Sequence, residues 1–143
     1  MEDLRGLAAV FFDIGNTLGA VNANGELEPF EPGSRALLSV VRGVLGLRVG
    51  VITNLPANLS QQDIQQLLND AGLLQFLDPA GLITNHDAGA DKPAPAIYHF
   101  AARSLGVPVD RCLFIGENPD EVAGARRVGM AAIRKPFPAQ PPA

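Results

Sequence analysis

Length, composition and charge limit the kinds of protein that this chain can be. It has 143 residues, of which 47% are hydrophobic and 18% charged, with a formal net charge of −4. These values exclude an intrinsically disordered chain, predict one domain with a sizeable core, and give no signature for binding nucleic acid or an anionic membrane.

The first half of the chain predicts two strands around a flap and a helix. The apolar run over residues 8–12 is short enough for a buried strand. Residues 14–30, which hold glycines and asparagines, predict a long turn or flap. A helix is predicted over 35–45, with one apolar face formed by Leu37, Leu38, Val41, Val44 and Leu45. Residues 48–53 predict a second buried strand.

The second half continues the alternation of strands and helices. Ser60 predicts a helix N-cap, because Asp63 follows three residues later. Further strands are predicted over 81–84, 111–115 and 130–133, and further helices over 93–105 and 120–128. This alternation predicts an α/β fold, a Rossmann-like three-layer sandwich around a mostly parallel five-stranded sheet.

The chain has no internal repeat or linker that would divide it into two domains. Residues 1–135 are predicted to form one core domain, and the proline-rich residues 136–143 an unstructured tail. The acidic start, Met-Glu-Asp, is unlike a secretory signal, and the apolar run 7–12 is too short to span a bilayer. With Cys112 as its single cysteine, the chain is expected to be soluble and cytoplasmic, without a membrane partner. The residues indicate no particular oligomeric state.

Three predicted strands end in polar residues at the same edge of the sheet. Asp13 follows the first strand, Thr53 and Asn54 end the second, and Glu117 follows the strand over 111–115. In open parallel sheets, ligand sites form beyond the carboxyl ends of the strands. The sequence therefore predicts a functional site at this edge.

Four short motifs occur in a fixed order between residues 10 and 130. They are VFFDIGNTL at 10–18, VITN at 51–54, DKPAPAIY at 91–98, and LFIGENPDEVAGA at 113–125 followed by VGM at 128–130. The ordered set resembles the haloacid dehalogenase-like hydrolase superfamily, and within it the phosphatases. The resemblance implies a Mg²⁺-dependent phosphatase or phosphotransferase that works through an aspartyl-phosphate.

The resemblance also implies a role for each matched polar residue. Asp13, Thr53 and Lys92 are the expected catalytic residues, with Asp13 as the nucleophile. The Thr53 hydroxyl, backbone N–H groups at Thr53 and Asn54, and the Lys92 ammonium are expected to bind the phosphoryl oxygens of a phosphorylated substrate.

The expected cofactor is Mg²⁺, which prefers oxygen ligands and keeps several waters. The resemblance implies Asp13, the backbone carbonyl of Gly15 and Glu117 as its ligands, with Glu121 as a supporting or alternative ligand. Glu117 and Glu121 stand where aspartate is usual in the family, so each carboxylate has one more methylene. The geometry of the metal site is therefore expected to differ somewhat from that of the family.

Position 15 departs most from the family pattern. Family phosphatases usually carry a second aspartate there as the general acid and base, and Gly15 has no side chain for this role. Such groups contribute about 10²- to 10⁴-fold in rate. The alternative hypothesis is therefore a pseudoenzyme that binds phosphate and metal as a regulatory module. A dehalogenase that depends on a cap from a partner subunit is a weaker alternative, and a substitute acid at His86 is disfavoured against a surface-loop histidine.

The spacing of the motifs leaves no room for a cap domain. About forty residues separate Asp13 from Thr53, and about as many separate Thr53 from Lys92. Predicted core elements occupy most of both intervals. The site is therefore expected to be open, which suits a bulky or macromolecular phosphorylated substrate, or a partner that completes a lid.

Overall fold

The computed structural model describes residues 6–135, and the predicted tail lies outside them. The strands are β1 (Ala9–Phe12), β2 (Gly19–Val21), β3 (Leu27–Pro29), β4 (Arg48–Thr53), β5 (Leu82–Thr84), β6 (Cys112–Gly116) and β7 (Ala131–Arg134). The helices are α1 (Gly33–Ser39), α2 (Gln61–Asp70), α3 (Asn85–Ala88), α4 (Pro95–Ser104) and α5 (Pro119–Arg127). In this part of the chain, no helix has the length and apolar character needed to cross a membrane.

Five of the strands form one parallel sheet in the order β5-β4-β1-β6-β7. The predicted five-stranded sheet is therefore confirmed. Strand β1 lies at its centre, with β4 and β6 as neighbours. The three strands whose ends carry the predicted polar residues are thus adjacent.

The residues of β1 alternate between two hydrophobic cores. Val10 and Phe12 contribute to one core and Ala9 and Phe11 to the other, as the two-residue period of a strand requires. The first core includes residues of α1 and α2, such as Leu38, Ile64 and Leu68, and the second includes residues of α4 and α5, such as Ile97, Tyr98, Val122 and Ala125. This arrangement is the predicted three-layer sandwich.

The segment predicted as a flap is an ordered β-hairpin. Strands β2 and β3 pair in antiparallel fashion, and the Asn22 side chain closes their turn by accepting hydrogen bonds from the backbone N–H groups of Asn24 and Glu26. The Ser34 hydroxyl at the start of α1 donates to the Leu18 carbonyl at 2.6 Å. The hairpin is therefore fixed to the core at its base.

Neither interval between the motifs holds a cap domain, as predicted. The hairpin and α1, with the turn that follows, occupy the chain between β1 and β4. Helix α2, strand β5, helix α3 and short turns occupy the chain between Thr53 and Lys92. The helix predicted at Ser60 is confirmed, with reciprocal Ser60 and Asp63 hydrogen bonds forming a capping box.

The apolar face predicted for the first helix is partly wrong. Helix α1 passes at Val40 into a π-helical turn that extends to Val44. Leu38 and Val41 are buried as expected, but Val44 is 77% and Leu45 59% exposed. The wider turn rotates the residues that follow it away from the sheet, so the 3.6-residue pattern fails there.

The helix predicted over 93–105 is shorter than expected. Helix α4 begins at Pro95, and its N-cap Ala94 is extended with ψ of 141°. A residue that precedes proline disfavours the helical conformation, and both Lys92 and Ala94 precede prolines. Lys92 therefore lies in a loop before the helix. The short helix α3 was not predicted.

Candidate active site

Asp13 lies directly beyond the central strand, at the carboxyl edge of the sheet. Its backbone N–H donates to the Ile115 carbonyl at 2.9 Å, which continues the pairing of β1 with β6. Its Oδ1 accepts a hydrogen bond from the Ile14 N–H at 2.8 Å. Strand pairing and this local bond together fix the position of the carboxylate.

Lys92 is buried between two carboxylates. Its Nζ lies 2.8 Å from Asp13 Oδ1 and 2.8 Å from Glu121 Oε1, and its side chain is 1% exposed. The Phe114 ring centroid lies 5.5 Å from the same Nζ. One ammonium group thus faces two carboxylates, so the cluster has one more acidic group than basic groups.

Glu121 lies in the first turn of α5, and side chains form hydrogen bonds with both its backbone N–H and its carbonyl. Its N–H donates to Asn118 Oδ1 at 3.1 Å, and its carbonyl accepts from the Tyr98 hydroxyl at 2.7 Å. Its Oε1 is buried and, although close to Lys92 Nζ, accepts no hydrogen bond from the described residues. The ion pair therefore leaves this oxygen with unused acceptor capacity.

The Asn54 side chain holds the loop that carries Lys92. Its Oδ1 accepts from the Lys92 backbone N–H at 2.8 Å, and its Nδ2 donates to the Lys92 carbonyl at 3.1 Å. Helix α5 approaches the same loop closely, because a Cβ on Gly124 would lie 2.7 Å from the Pro93 carbonyl oxygen. Sequence reasoning did not identify this use of the Asn54 side chain.

Gly15 has no steric or conformational need to be glycine. Its φ lies outside the left-handed region, and a Cβ built on it would meet no atom within 4 Å. The residue is exposed and lines the cleft described below. The local backbone therefore has room for a side chain at this position.

A cleft of about 910 Å³ brings most of the predicted site residues together. The predicted residues that line it are Asp13, Gly15, Thr53, Asn54, Lys92 and Glu121. The β2–β3 hairpin forms one wall, and α2 with the loop before it forms the other. The cleft thus leads from the surface to Asp13.

Two residues considered in the sequence analysis do not line this cleft. Glu117 lies outside its lining, and the Glu117 carbonyl accepts a hydrogen bond from Arg134 Nε at 3.0 Å. His86 is exposed, and its Nε2 lies 3.1 Å from the Pro56 carbonyl oxygen. In residues 6–135, no group of three or more His, Cys, Asp or Glu side chains is arranged to hold a metal ion.

Comparison with known families finds one family that matches most of the chain. A family model described as haloacid dehalogenase-like hydrolase matches residues 7–129, which is most of the chain. The chain therefore belongs to the haloacid dehalogenase-like hydrolase family.

The curated relatives of the chain include proteins named as phosphatases. Phosphatase MT3486 of Mycobacterium tuberculosis (strain CDC 1551 / Oshkosh) is 39% identical over 87 residues, covering 61% of this chain and 38% of the relative. Phosphoglycolate phosphatase of Rhodospirillum rubrum is 35% identical over 103 residues, covering 71% of this chain and 39% of the relative. The chain thus spans about two fifths of the length of these two relatives.

Solved structures share the fold over almost the whole chain. A crystal structure described as a dehalogenase superposes with a TM-score of 0.79 at 19% identity, covering 96% of this chain and 88% of that chain. A HAD family hydrolase from Deinococcus radiodurans R1, solved with bound phosphate and sodium, gives 0.68 at 16% identity, covering 89% and 80%.

Proposed function

We propose that this chain is a phosphatase or phosphotransferase that acts on phosphate monoesters, with Asp13 as the nucleophile. The observation that carries the proposal is the Asp13 carboxylate at the end of the central strand, 2.8 Å from the buried Lys92 ammonium and facing an open cleft. The relatives named as phosphatases support the same class of reaction.

The proposed reaction has two displacements at phosphorus. The Asp13 carboxylate attacks the phosphorus, the bond to the leaving oxygen breaks, and an aspartyl-phosphate forms while the leaving oxygen departs as an anion or is protonated by water. Water then attacks the same phosphorus, which releases phosphate and restores Asp13. Lys92, the Thr53 hydroxyl and the Asn54 backbone N–H donate to the phosphoryl oxygens and stabilise the charge in both transition states.

We propose Mg²⁺ as the cofactor, and the residues of the cleft fit this ion. The cluster of Asp13, Glu121 and Lys92 has more carboxylate than ammonium charge, and the buried Glu121 Oε1 has unused acceptor capacity. Mg²⁺ is commonly bound through one or two carboxylates and several waters. Asp13 and the Gly15 carbonyl would hold the ion, with Glu121 as the further acid in the cleft and Glu117, which lies outside its lining, as the alternative. The bound ion would neutralise charge on the phosphoryl group.

Gly15 limits which substrates such an enzyme turns over well. Without a carboxylate at this position, the leaving oxygen departs as an anion or takes its proton from water. Esters of acidic alcohols, such as nitrophenyl phosphate, and acyl phosphates are therefore the favoured substrates. The rate penalty for alkyl esters is expected to be about 10²- to 10⁴-fold.

The direct test is hydrolysis of 4-nitrophenyl phosphate by the purified chain, with and without Mg²⁺. We expect Mg²⁺-dependent release of nitrophenol, and loss of that activity in Asp13→Asn, whose amide is a poor nucleophile of similar shape. Circular dichroism would establish that the variant is folded. Activity retained in folded Asp13→Asn would assign the turnover to another site.

A second candidate function is a binding module that uses the same cleft without catalysis. The missing acid at Gly15 favours it, since the residues expected to bind phosphate all line the cleft. The module would bind phosphate or a phosphorylated ligand and turn over no ester. Saturable phosphate binding by wild type, together with no hydrolysis of aryl, acyl or alkyl phosphates, would establish this alternative.

A further inference from the structure

The cleft that ends at Asp13 is much larger than a phosphoryl group requires. Its volume is about 910 Å³, within the range of about 300–1,000 Å³ that accommodates whole small molecules. Asp13 and Lys92 lie at its base, and the hairpin and α2 extend beyond them. With a phosphoryl group at Asp13, the remaining space could hold the alcohol part of a phosphate ester.

The walls of this space carry acidic side chains without basic partners. Glu26 and Glu28 line it from the hairpin, and Asp63 and Asp70 line it from α2. Lys92 is the single basic residue in the lining. In the part of the chain that the structure describes, the ion pairs are made by other carboxylates, those of Asp13, Glu31, Asp78 and Glu121. Within residues 6–135, none of the four wall carboxylates has a basic partner: Asp63 accepts from Ser60 in the capping box and Asp70 from the neutral Gln66 amide, so no positive side chain balances their charge.

Two of these carboxylates converge on a single neutral donor. The Asn22 Nδ2 lies 3.0 Å from Glu28 Oε1 and 3.3 Å from Glu26 Oε1. An amide provides hydrogen bonds but no positive charge, so the repulsion between the two carboxylates persists. A bound cation would relieve it.

Apolar side chains lie exposed between the acidic ones. Val21 is 55% and Leu59 37% exposed, and both line the cleft, one on each wall. The acidic groups are spread along the cleft, and in residues 6–135 no three of them form a metal-chelating group. An organic ammonium on an apolar frame complements this surface better than a metal ion does.

We propose that the cleft selects phosphate monoesters whose alcohol is partly apolar and carries an ammonium group. The proposal rests on the proposed phosphatase function, because it places the phosphoryl group at Asp13 and the ammonium group between the hairpin and α2. The charge of the leaving group thus determines specificity.

Three aryl phosphates test the proposal, because they differ in the charge on the alkyl chain of the phenol. The ammonium ester is tyramine O-phosphate. The neutral ester is 4-ethylphenyl phosphate, whose alkyl chain has no charge. The anionic ester is the phosphate ester of 3-(4-hydroxyphenyl)propanoate, whose alkyl chain ends in a carboxylate. All three leave as phenolates, so differences in kcat/KM report the remote charge. We expect the ammonium ester to be favoured over the neutral ester by about fivefold to tenfold, and the anionic ester to be the poorest. Calorimetric Kd values with Asp13→Asn should follow the same order.

Matched variants locate the source of this preference. Glu28→Gln combined with Asp70→Asn should bring the ratio of ammonium to neutral ester close to one. The control is Glu31→Gln, which removes an exposed carboxylate that pairs with Arg35 outside the cleft and should keep the preference. A double variant that keeps the full preference would contradict the proposal.

Binding separates this proposal from the proposed function. If wild type hydrolyses none of the three esters but Asp13→Asn binds them in the expected order, the phosphatase proposal fails and the selectivity of the cleft stands. If Asp13→Asn binds all three equally, the selectivity is overturned, whatever the hydrolysis rates.

Discussion

In the proposed reaction, position 15 determines how the leaving group of a substrate acquires its proton. The structure gives no steric reason for glycine there, since a Cβ would meet no atom within 4 Å and φ lies outside the left-handed region. The absence of a carboxylate is therefore a chemical difference from the pattern expected of family phosphatases, and the backbone at this position does not require it.

Gly15→Asp should restore acid catalysis. We expect the rate on an alkyl phosphate to rise by about a hundredfold relative to the rate on 4-nitrophenyl phosphate, because the alkoxide needs a proton more than the nitrophenolate does. Initial rates on both esters measure this, with Gly15→Asn as a control of similar shape that has no acid. Equal sensitivity to the leaving group in wild type and folded Gly15→Asp would refute the missing-acid account.

Which residues come together at the site could largely be predicted from the sequence, but several contacts between them could not. The strand-end positions of Asp13 and Thr53 and the motif around Lys92 placed these three residues at one site. The double hydrogen bond of Asn54 to Lys92 was not predicted, because it depends on the conformation of a loop 38 residues away. Glu121 and Glu117 have the same chemistry, and the geometry of the β6–α5 turn decides which of them lines the cleft.

At the scale of secondary-structure elements, the Asp78 side chain links the turn after α1 to strand β4. The residue is 8% exposed. Its carboxylate accepts from the Val49 N–H at 2.8 Å and from Arg42 at 2.6 Å, and Arg48 Nε lies 3.2 Å away. Burial by itself raises the pKa of Asp78, but the Val49 N–H and the two guanidinium groups outweigh burial and lower that pKa below its ordinary value.

Asp78 should make the stability of the fold sensitive to acid. Because its pKa is lower in the folded chain than in the unfolded chain, the stabilisation is complete above the unfolded pKa of about 4 and is lost as pH falls through the folded value. Asp78→Asn should lower the free energy of unfolding at pH 7 by about 2 kcal/mol and reduce its loss between pH 5 and pH 3. Urea denaturation across this range measures both effects.

The control for this prediction is Asp110→Asn, which makes the same change of charge at an exposed position. It should leave the dependence of unfolding on pH close to that of wild type. An Asp78→Asn protein with the wild-type free energy of unfolding at pH 7 would show that this network adds no stability.

The ends of helices could be predicted where they depend only on residues close in sequence. The Ser60 capping box was predicted because both partners lie within one helical turn. The start of α4 was predictable in principle, since each proline disfavours a helical conformation at the residue before it. The π-helical turn after Ser39 was not predictable from the apolar pattern, which is the same for a continuing α-helix.

For the whole molecule, the parallel sheet explains why residues far apart in sequence form one site. Strand β1 lies between β4 and β6, so the ends of the three strands share one edge. Lys92 reaches Asp13 across 79 residues of sequence. The alternation of strands and helices predicted this edge. It did not predict the acidic cleft, because the hairpin wall lies in a segment whose composition indicated only a long turn or flap.

Capture of the covalent intermediate tests the central proposal most directly. Wild type mixed with 4-nitrophenyl phosphate and Mg²⁺ is quenched in acid during turnover, and peptide mass spectrometry locates any bound phosphoryl group. We predict a phosphoryl group on Asp13 in wild type and none in Asp13→Asn. Steady release of nitrophenol while Asp13 stays unmodified, or a phosphoryl group carried by another residue, would contradict the account.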